Sequence, residues 1–225
     1  GRSSSEGAAA AAAAAAAVDA AAADAAAAAQ IVPVKPIDGF AARWGTMRRR
    51  VVERALAGRA TRLCVVGAGA GGVEVALAMQ YRLRAEIANG GGAPSRVAIV
   101  VVSRSRTVTP AHSRATQAAF RRILTARGVE LVLGCEIVEC AAAAEGGGEL
   151  RGADGRAVAY DECVWCTQAS AQPWLRGAGL ACDAGGFVRV NRFMQSSDRA
   201  IFAGGDCACL DGAPRAKAGV FAVMA

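Results

Sequence analysis

The sequence predicts an α/β fold: a doubly wound parallel sheet with an added antiparallel β-meander. One observation is a short apolar run that enters a glycine-rich turn and then a long helical stretch, all within residues 62–87. The second is a pair of apolar runs, at residues 96–102 and 129–133, with a helical stretch between them. Strands that alternate with helices form parallel sheets, and a glycine turn between strand and helix is typical of the Rossmann type.

The first thirty residues form a low-complexity, alanine-rich segment. Residues 8–29 are alanine apart from Val18, Asp19 and Asp24, which favours a solvated or fraying helix that buries little. The two aspartates and the absence of Leu, Ile and Phe argue against a membrane span. No secretory or organelle signal is legible, so we leave the compartment open, with the cytoplasm as the default.

Residues 31–60 are expected to lead from this segment into the sheet. Pro33 and Pro36 exclude helix there and favour an extended chain at residues 31–36. Residues 39–56 are then expected to be helical.

Three strands and two helices follow in βαβαβ order. The strands are apolar runs: residues 63–66, 96–102 and 129–133. The first helix runs from about Gly72 to Ile87 and stops at a run of three glycines, and the second ends at Gly128.

After residue 133 the pattern changes to short runs. Three runs separated by glycine turns predict the meander: residues 136–140, 149–151 and 158–160. Three further apolar runs predict strands: residues 163–166, 187–190 and 201–203. We therefore expect a dinucleotide-binding domain at residues 61–168 and a further domain at residues 169–225.

The glycine-rich turn is the strongest functional signal. Gly67 allows a tight turn, Gly69 lets a phosphate approach the backbone, and Gly72 lets the helix pack close to its strand. With Gly71 they precede a helix N-terminus, whose N–H groups bind anions. The pattern predicts binding of a dinucleotide pyrophosphate. The alternative is a structural turn, since the chain contains 27 glycines.

Composition argues against other classes of function. The formal charge of +7 could indicate nucleic-acid binding near residues 48–50, but no aromatic residues are interleaved there. Cys163 and Cys166 have CxxC spacing, yet in a strand they lie about 10 Å apart on opposite faces. With His112 as the single histidine, we expect no metal site. The eight cysteines are expected to be reduced and mostly buried.

Asp206 is a second candidate binding residue. It follows a predicted strand and two glycines. Gly205 lets the backbone approach a ligand, and the carboxylate can accept hydrogen bonds from sugar or ribityl hydroxyls. Taken alone, Gly-Gly-Asp is also an ordinary turn.

The order of these motifs resembles the flavoprotein pyridine nucleotide-disulfide oxidoreductases. The likeness is carried by GAGAGGVE, YDECVWCT and IFAGGDCA, which begin at residues 67, 160 and 201. Within the family, the chain is most similar to the type II NADH dehydrogenase-like branch. VPVKPIDGFAARW, GLACDAGGFVRVN, QSSDRAIFAGGD and RAKAGVFAVMA are similar to the oxidoreductase domain fused to selenide, water dikinase in some bacteria and algae. The likeness covers residues 31–225.

The resemblance implies an NAD(P)H-binding domain inserted into an FAD-binding domain, with FAD and NAD(P)H as cofactors. Residues 31–60 would then be a connecting segment of the FAD domain, and residues 169–225 would be its truncated C-terminal part. Asp206 is implied to bind the ribityl chain of FAD. Glu74, in the predicted first turn of its helix, is implied to lie near nicotinamide and flavin; a favourable charge at a helix N-terminus is the alternative.

Two departures bear on flavin binding. The family's first glycine motif, which holds the ADP part of FAD, would precede residue 31, and a further family segment would follow Ala225. We therefore expect a fragment or truncated gene model that does not retain stoichiometric FAD. Gln168 stands where the family has a glycine in a turn.

A third departure concerns the nicotinamide dinucleotide. An NAD site has an acid at the end of the second strand, whereas this chain has Ser103 and Arg104, followed by Ser105 and Arg106. Arginine accommodates a 2′-phosphate, which favours NADPH. Ordinary solvated arginines are the alternative.

These observations predict an FAD-dependent NAD(P)H oxidoreductase that passes a hydride from nicotinamide to flavin and then to an unknown acceptor. We expect no catalytic nucleophile or acid–base pair, because the cofactors supply that chemistry. The alternatives are a nucleotide-binding module without turnover and an accessory redox domain of selenophosphate synthesis. The expected partners are NAD(P)H, an unknown acceptor and a selenide, water dikinase domain, either fused or separate. We expect no nucleic acid as a partner and no transmembrane segment.

Overall fold

The computed structural model describes residues 31–35, 37, 39–143, 146–167, 171–172, 174–213 and 217. The chain divides into two compact units. Unit 1 comprises residues 1–34 and 40–167, and unit 2 comprises residues 35–39 and 168–225. The helix expected in the alanine-rich segment and the side chain of Gln168 lie outside the described residues.

Unit 1 contains a five-stranded parallel sheet and a three-stranded antiparallel sheet. Its strands are β1 (Ile31–Pro33), β2 (Thr61–Val66), β3 (Val97–Ser103), β4 (Glu130–Leu133), β5 (Ile137–Ala142), β6 (Gly148–Gly152), β7 (Ala157–Tyr160) and β8 (Glu162–Trp165). The parallel sheet has the order β1-β8-β2-β3-β4, and β5, β6 and β7 form the meander. The predicted α/β fold class is confirmed.

Three helices accompany the parallel sheet: α1 (Phe40–Leu56), α2 (Ala70–Asn89) and α3 (Arg114–Ala126). Helix α2 buries residues spaced three or four apart, among them Val73, Ala76 and Leu83, so one of its faces packs on the sheet. Helix α3 is capped by Ser113, whose Oγ accepts a hydrogen bond from the N–H of Thr116 at 3.2 Å.

The two faces of the parallel sheet are covered differently. Alternate strand residues such as Leu63 and Ile99 pack with the apolar faces of the helices, including Met47 of α1. The residues between them, such as Cys64 and Val100, pack with the meander. Because both faces are buried, the inner strands read as continuous apolar runs.

Unit 2 contains helix α4 (Trp174–Gly177) and strands β9 (Val188–Val190) and β10 (Ala208–Leu210), which pair in parallel. The prediction of a strand at residues 201–203 is wrong. Phe202 forms an isolated bridge with Gln195, and its side chain is 62% exposed. These residues make hydrogen bonds to an irregular loop and not to a neighbouring strand. For example, the N–H of Ala203 donates to the carbonyl of Met194.

Ion pairs connect helix α1 to β8 and to α2. Arg50 binds Glu162 through Nε and Nη2 at 2.6 and 2.7 Å, and the Glu162 side chain is 1% exposed. Arg48 pairs with Glu86 of α2. Two of the three arginines at residues 48–50 are therefore engaged within the protein, which weakens the nucleic-acid interpretation of this run.

All eight cysteines are free thiols. Cys64, Cys135 and Cys163 are buried, whereas the other five are half-buried, so the expectation of mostly buried thiols is wrong in extent. Burial raises the pKa of Cys64 and of Cys166 to about 12. In the part of the chain that the structure describes, no helix has the length and apolar character to cross a bilayer.

Candidate functional site

The glycine turn joins β2 to α2, and its conformation needs glycine at two positions. Gly67 has φ +116°, a region that L-residues rarely adopt, and a Cβ there would lie 2.6 Å from the carbonyl oxygen of Cys166. A Cβ on Gly72 would lie 1.9 Å from the carbonyl oxygen of Gly67. These contacts agree with the roles predicted for the two glycines, a tight turn and close helix packing.

Gly69 and Gly71 lie in a different environment. Among the described residues, a Cβ on either glycine would meet no non-neighbouring atom within 4 Å. Gly69 has φ −69° and ψ 177°, which any residue can adopt. Packing of the protein therefore gives no reason for glycine at these two positions. Open space beside the backbone is what an approaching pyrophosphate requires.

Helix α2 begins beside that open space. Gly69 is its N-cap, with no side chain to satisfy the first N–H groups, and the first intrahelical bond runs from the N–H of Val73 to the carbonyl of Gly69 at 3.0 Å. The N–H groups of the preceding turn have no acceptor within the helix. They supply hydrogen-bond donors and a partial positive charge, which fit an anionic phosphate.

Glu74 is not in the first turn of its helix, contrary to the sequence prediction. Helix α2 starts at Ala70, two residues earlier than expected, and its first turn contains no acidic residue. Glu74 is exposed in the next turn. Because the helix dipole acts within the first turn, a stabilising charge at the N-terminus no longer explains this residue.

The end of β3 carries the residues predicted to select the dinucleotide. Ser103 is the last residue of the strand and is 8% exposed, and its Oγ accepts a hydrogen bond from the N–H of Ser105 at 3.2 Å. Arg104 and Arg106 are exposed in the residues that follow. We call residues 104–109 the arginine loop. Its exposed guanidinium groups are sterically free to meet a phosphate.

The arginine loop returns to the glycine turn at Thr109, a residue that the sequence did not single out. The N–H of Thr109 donates to the carbonyl of Ala68, between Gly67 and Gly69, at 2.7 Å. Thr109 has φ +46° and is 1% exposed. A residue before proline is biased toward extended backbone. No signal in the sequence therefore points to this left-handed conformation.

Gly205 and Asp206 lie in unit 2, in a 3₁₀ turn that precedes β10. Gly205 has φ +72°, and Asp206 accepts a hydrogen bond through Oδ2 from Nζ of Lys35 at 2.8 Å. Both side chains of this pair are 42% exposed. The carboxylate therefore reaches solvent, where it can accept hydrogen bonds from hydroxyl groups, with a cation beside it.

Other reactive chemistry is sparse among the residues that the structure describes. No group of three or more His, Cys, Asp and Glu is arranged to hold a metal ion there. Burial raises the pKa of Cys166, which lies against the glycine turn, so its thiol stays protonated at neutral pH.

Comparison with solved structures finds proteins that share this fold. The chain matches a water-forming NADH oxidase from Lactobacillus brevis bound to NADH, with TM-score 0.60, 18% identity, and coverage of 87% of this chain and 39% of that one. An engineered water-forming NADPH oxidase derived from it, bound to NADPH, matches with TM-score 0.56, 20% identity, and coverage of 80% and 34%.

An FAD-dependent pyridine nucleotide-disulphide oxidoreductase from Desulfovibrio vulgaris matches with TM-score 0.56, 23% identity, and coverage of 80% and 41%. The chain therefore spans less than half the length of each of these three proteins. No curated protein matches the sequence.

The sequence itself matches a family model, described as pyridine nucleotide-disulphide oxidoreductase, over residues 10–222. The match begins within the alanine-rich segment, earlier than the likeness seen in the motifs. FAD and NAD(P)H, the cofactors expected from the sequence, are those of this family. The chain belongs to the pyridine nucleotide-disulphide oxidoreductase family.

Proposed function

We propose that this chain is the nicotinamide-binding part, with a portion of the flavin-binding part, of an FAD-dependent NAD(P)H oxidoreductase. The observation that carries the proposal is the open glycine turn at the start of α2. Gly69 and Gly71 leave space that no atom of the described residues fills, beside N–H groups that have no acceptor within the helix. An anionic pyrophosphate matches both properties.

The candidate residues of unit 1 then divide between shaping the site and binding the dinucleotide. Gly67 and Gly72 hold the turn in shape, and Gly69 and Gly71 admit the pyrophosphate. Ser103 is the last residue of β3, and no acidic residue stands there to bind a ribose 2′-hydroxyl. When both cofactors are bound, the nicotinamide supplies a hydride and the flavin accepts it. We assign Glu74 to the nicotinamide end on family resemblance alone.

We propose NADPH as the preferred dinucleotide because of Arg104. Its exposed guanidinium can pair with a 2′-phosphate through two hydrogen bonds. The engineered NADPH oxidase offers a parallel: its substitutions place Ala, Arg and Ser at three consecutive positions, the first replacing an Asp. This chain has Ser103, Arg104 and Ser105 in the same order of small, basic and small residues.

The preference is tested by titrating NADPH and NADH into the wild type and an Arg104→Glu variant at fixed low salt. A charge-assisted contact contributes about 1.5–3 kcal/mol, so NADPH should bind about ten- to a hundredfold more tightly than NADH. Arg104→Glu should remove or reverse that preference. Arg122→Glu, the same change of charge on exposed α3, is the control. Equal wild-type affinities would make Arg104 a solvated surface charge.

The flavin role rests on Asp206, whose exposed carboxylate can accept hydrogen bonds from ribityl hydroxyls. We expect added FAD to be reduced by NADPH under anaerobic conditions faster with the wild type than with Asp206→Asn. Dinucleotide binding without such acceleration would favour a binding module that has no turnover of its own.

The likeness to the oxidoreductase domain fused to selenide, water dikinase remains a hypothesis about the partner. Sequencing the full transcript on both sides of this chain would test it, since a fused kinase domain would be encoded on the same message. The electron acceptor stays open in either case.

A further inference from the structure

The arginine loop is attached to the rest of unit 1 at both of its ends. Near its start, the carbonyls of Ser103 and Ser105 accept hydrogen bonds from the N–H groups of Cys135 and Gly134, at 2.8 and 2.9 Å. At its end, the N–H of Thr109 donates to the carbonyl of Ala68 at 2.7 Å. The arginine loop therefore runs from the end of β3 to the glycine turn.

The conformation of Thr109 is costly for its residue type. A β-branched residue at φ +46° is a backbone outlier, and such outliers persist only where the surrounding structure imposes them. The side chain is 1% exposed, and among the described residues its Oγ1 has no hydrogen-bond partner. Glycine would avoid the backbone cost, so local preference does not explain a threonine here, and the surrounding contacts must hold the conformation.

The position of Thr109 relates the two phosphate contacts of the proposed function. Arg104, at the start of the loop, is the proposed contact for a 2′-phosphate. Ala68, at the other end of the Thr109 hydrogen bond, lies inside the turn that is proposed to hold the pyrophosphate. A dinucleotide that carries a 2′-phosphate touches both places at once, whereas NADH has no phosphate for the arginine.

We propose that Thr109 is a positioning residue for the phosphorylated dinucleotide. The hydrogen bond from its N–H to the carbonyl of Ala68 holds the arginine loop against the glycine turn. It thereby fixes the distance between the 2′-phosphate contact and the pyrophosphate contact. The inference rests on the proposed function and adds a residue that determines nucleotide preference without touching the nucleotide.

The test removes the N–H and the left-handed backbone together. Thr109→Pro has no N–H and cannot adopt φ +46°. We expect it to weaken NADPH binding about tenfold and NADH binding less than about threefold, measured by calorimetry at fixed low salt. Thr109→Gly, which keeps the N–H and accepts the conformation, is the matched control and should keep both affinities within about twofold.

A double-mutant cycle tests the connection to the arginine. In the Thr109→Pro background, Arg104→Ala should cause little further loss of NADPH preference, because the arginine is already out of place. Independent effects of the two changes would overturn the inference. So would an equal loss of both nucleotides in Thr109→Pro, which indicates a structural role alone, or a loss of preference in Thr109→Gly as large as in Thr109→Pro.

A measurement on the wild type covers the case in which Thr109→Pro fails to fold. The Thr109 amide should exchange slowly with solvent, and NADPH should slow it further than NADH does. An amide that exchanges freely with and without NADPH overturns the inference. A wild type that binds neither nucleotide refutes the proposed function instead, so the two failures are distinguishable.

Discussion

Substitution of Gly69 by valine separates the binding role of the glycine turn from its structural role. The backbone at Gly69, with φ −69° and ψ 177°, is ordinary for an L-residue, and an added Cβ meets nothing within 4 Å in the part of the chain that the structure describes. The steric cost to the fold is therefore close to zero. Valine is a poorer N-cap than glycine, which costs about 1 kcal/mol at most.

The cost to binding should be larger. A branched side chain at Gly69 occupies the space through which a pyrophosphate approaches the N–H groups of α2. Loss of one charge-assisted hydrogen bond amounts to about 1.5–3 kcal/mol, which is about a ten- to hundredfold loss of affinity. We expect Gly69→Val to lose that much for NADPH while its free energy of unfolding changes by no more than about 1 kcal/mol.

The assay pairs calorimetric titration of NADPH with urea unfolding of the same preparation. Gly45→Ala is the control, because Gly45 lies within α1 and an added Cβ meets nothing within 4 Å there either. It should raise the free energy of unfolding by about 0.5–1 kcal/mol and leave binding unchanged. A folded Gly69→Val variant with wild-type affinity would refute the reasoning and make the glycine turn structural.

Three further predictions concern stability. Gly72→Ala should lower the free energy of unfolding by about 2–3 kcal/mol in urea, because its Cβ would meet two backbone atoms of Gly67 at 1.9 and 2.9 Å; unchanged stability would show that the turn can shift. Arg50→Met should lower the free energy of unfolding by about 2–4 kcal/mol, because buried Glu162 loses its bidentate contact with Arg50. Arg62→Met, the control, breaks the exposed pair with Glu130 and should lower it by less than about 1 kcal/mol. Burial raises the pKa of Cys64 from 9.0 to about 12, so this thiol ionises at lower pH in the unfolded chain than in the folded one, and the free energy of unfolding should fall as pH rises through that window. In urea unfolding at pH 7 and 10.5, the free energy of unfolding of Cys64→Val should fall less between the two pH values than that of the wild type. Equal falls would contradict this cause.

Local patterns predicted much of unit 1. The strand at Leu63, the glycine turn and helix α2 follow from apolar runs and turn chemistry within about thirty residues. Glycine turns between short apolar runs predicted the meander. Helix boundaries were less secure: α2 begins at Ala70 and not at Gly72, and that shift of two residues moved Glu74 out of the first turn.

Contacts between distant residues account for what the sequence did not predict. Arg50 and Glu162 are 112 residues apart, so no local pattern connects them. The left-handed backbone of Thr109 contradicts its residue type and the proline after it, because tertiary contacts impose it. Phe202 lies in an apolar run but is 62% exposed and forms only an isolated bridge, so composition alone misassigned it.

The place of β8 in the sheet has a consequence for synthesis on the ribosome. β8 lies between β1 and β2, although it is the last strand of unit 1 to be made. Until Trp165 has emerged, β2 and β1 both lack β8, the strand that pairs with each of them in the described part of the chain. Unpaired apolar edges are sites of aggregation. The edge of β2 that β8 covers is therefore without that strand through about a hundred residues of elongation, the stage at which a chaperone would be of most use.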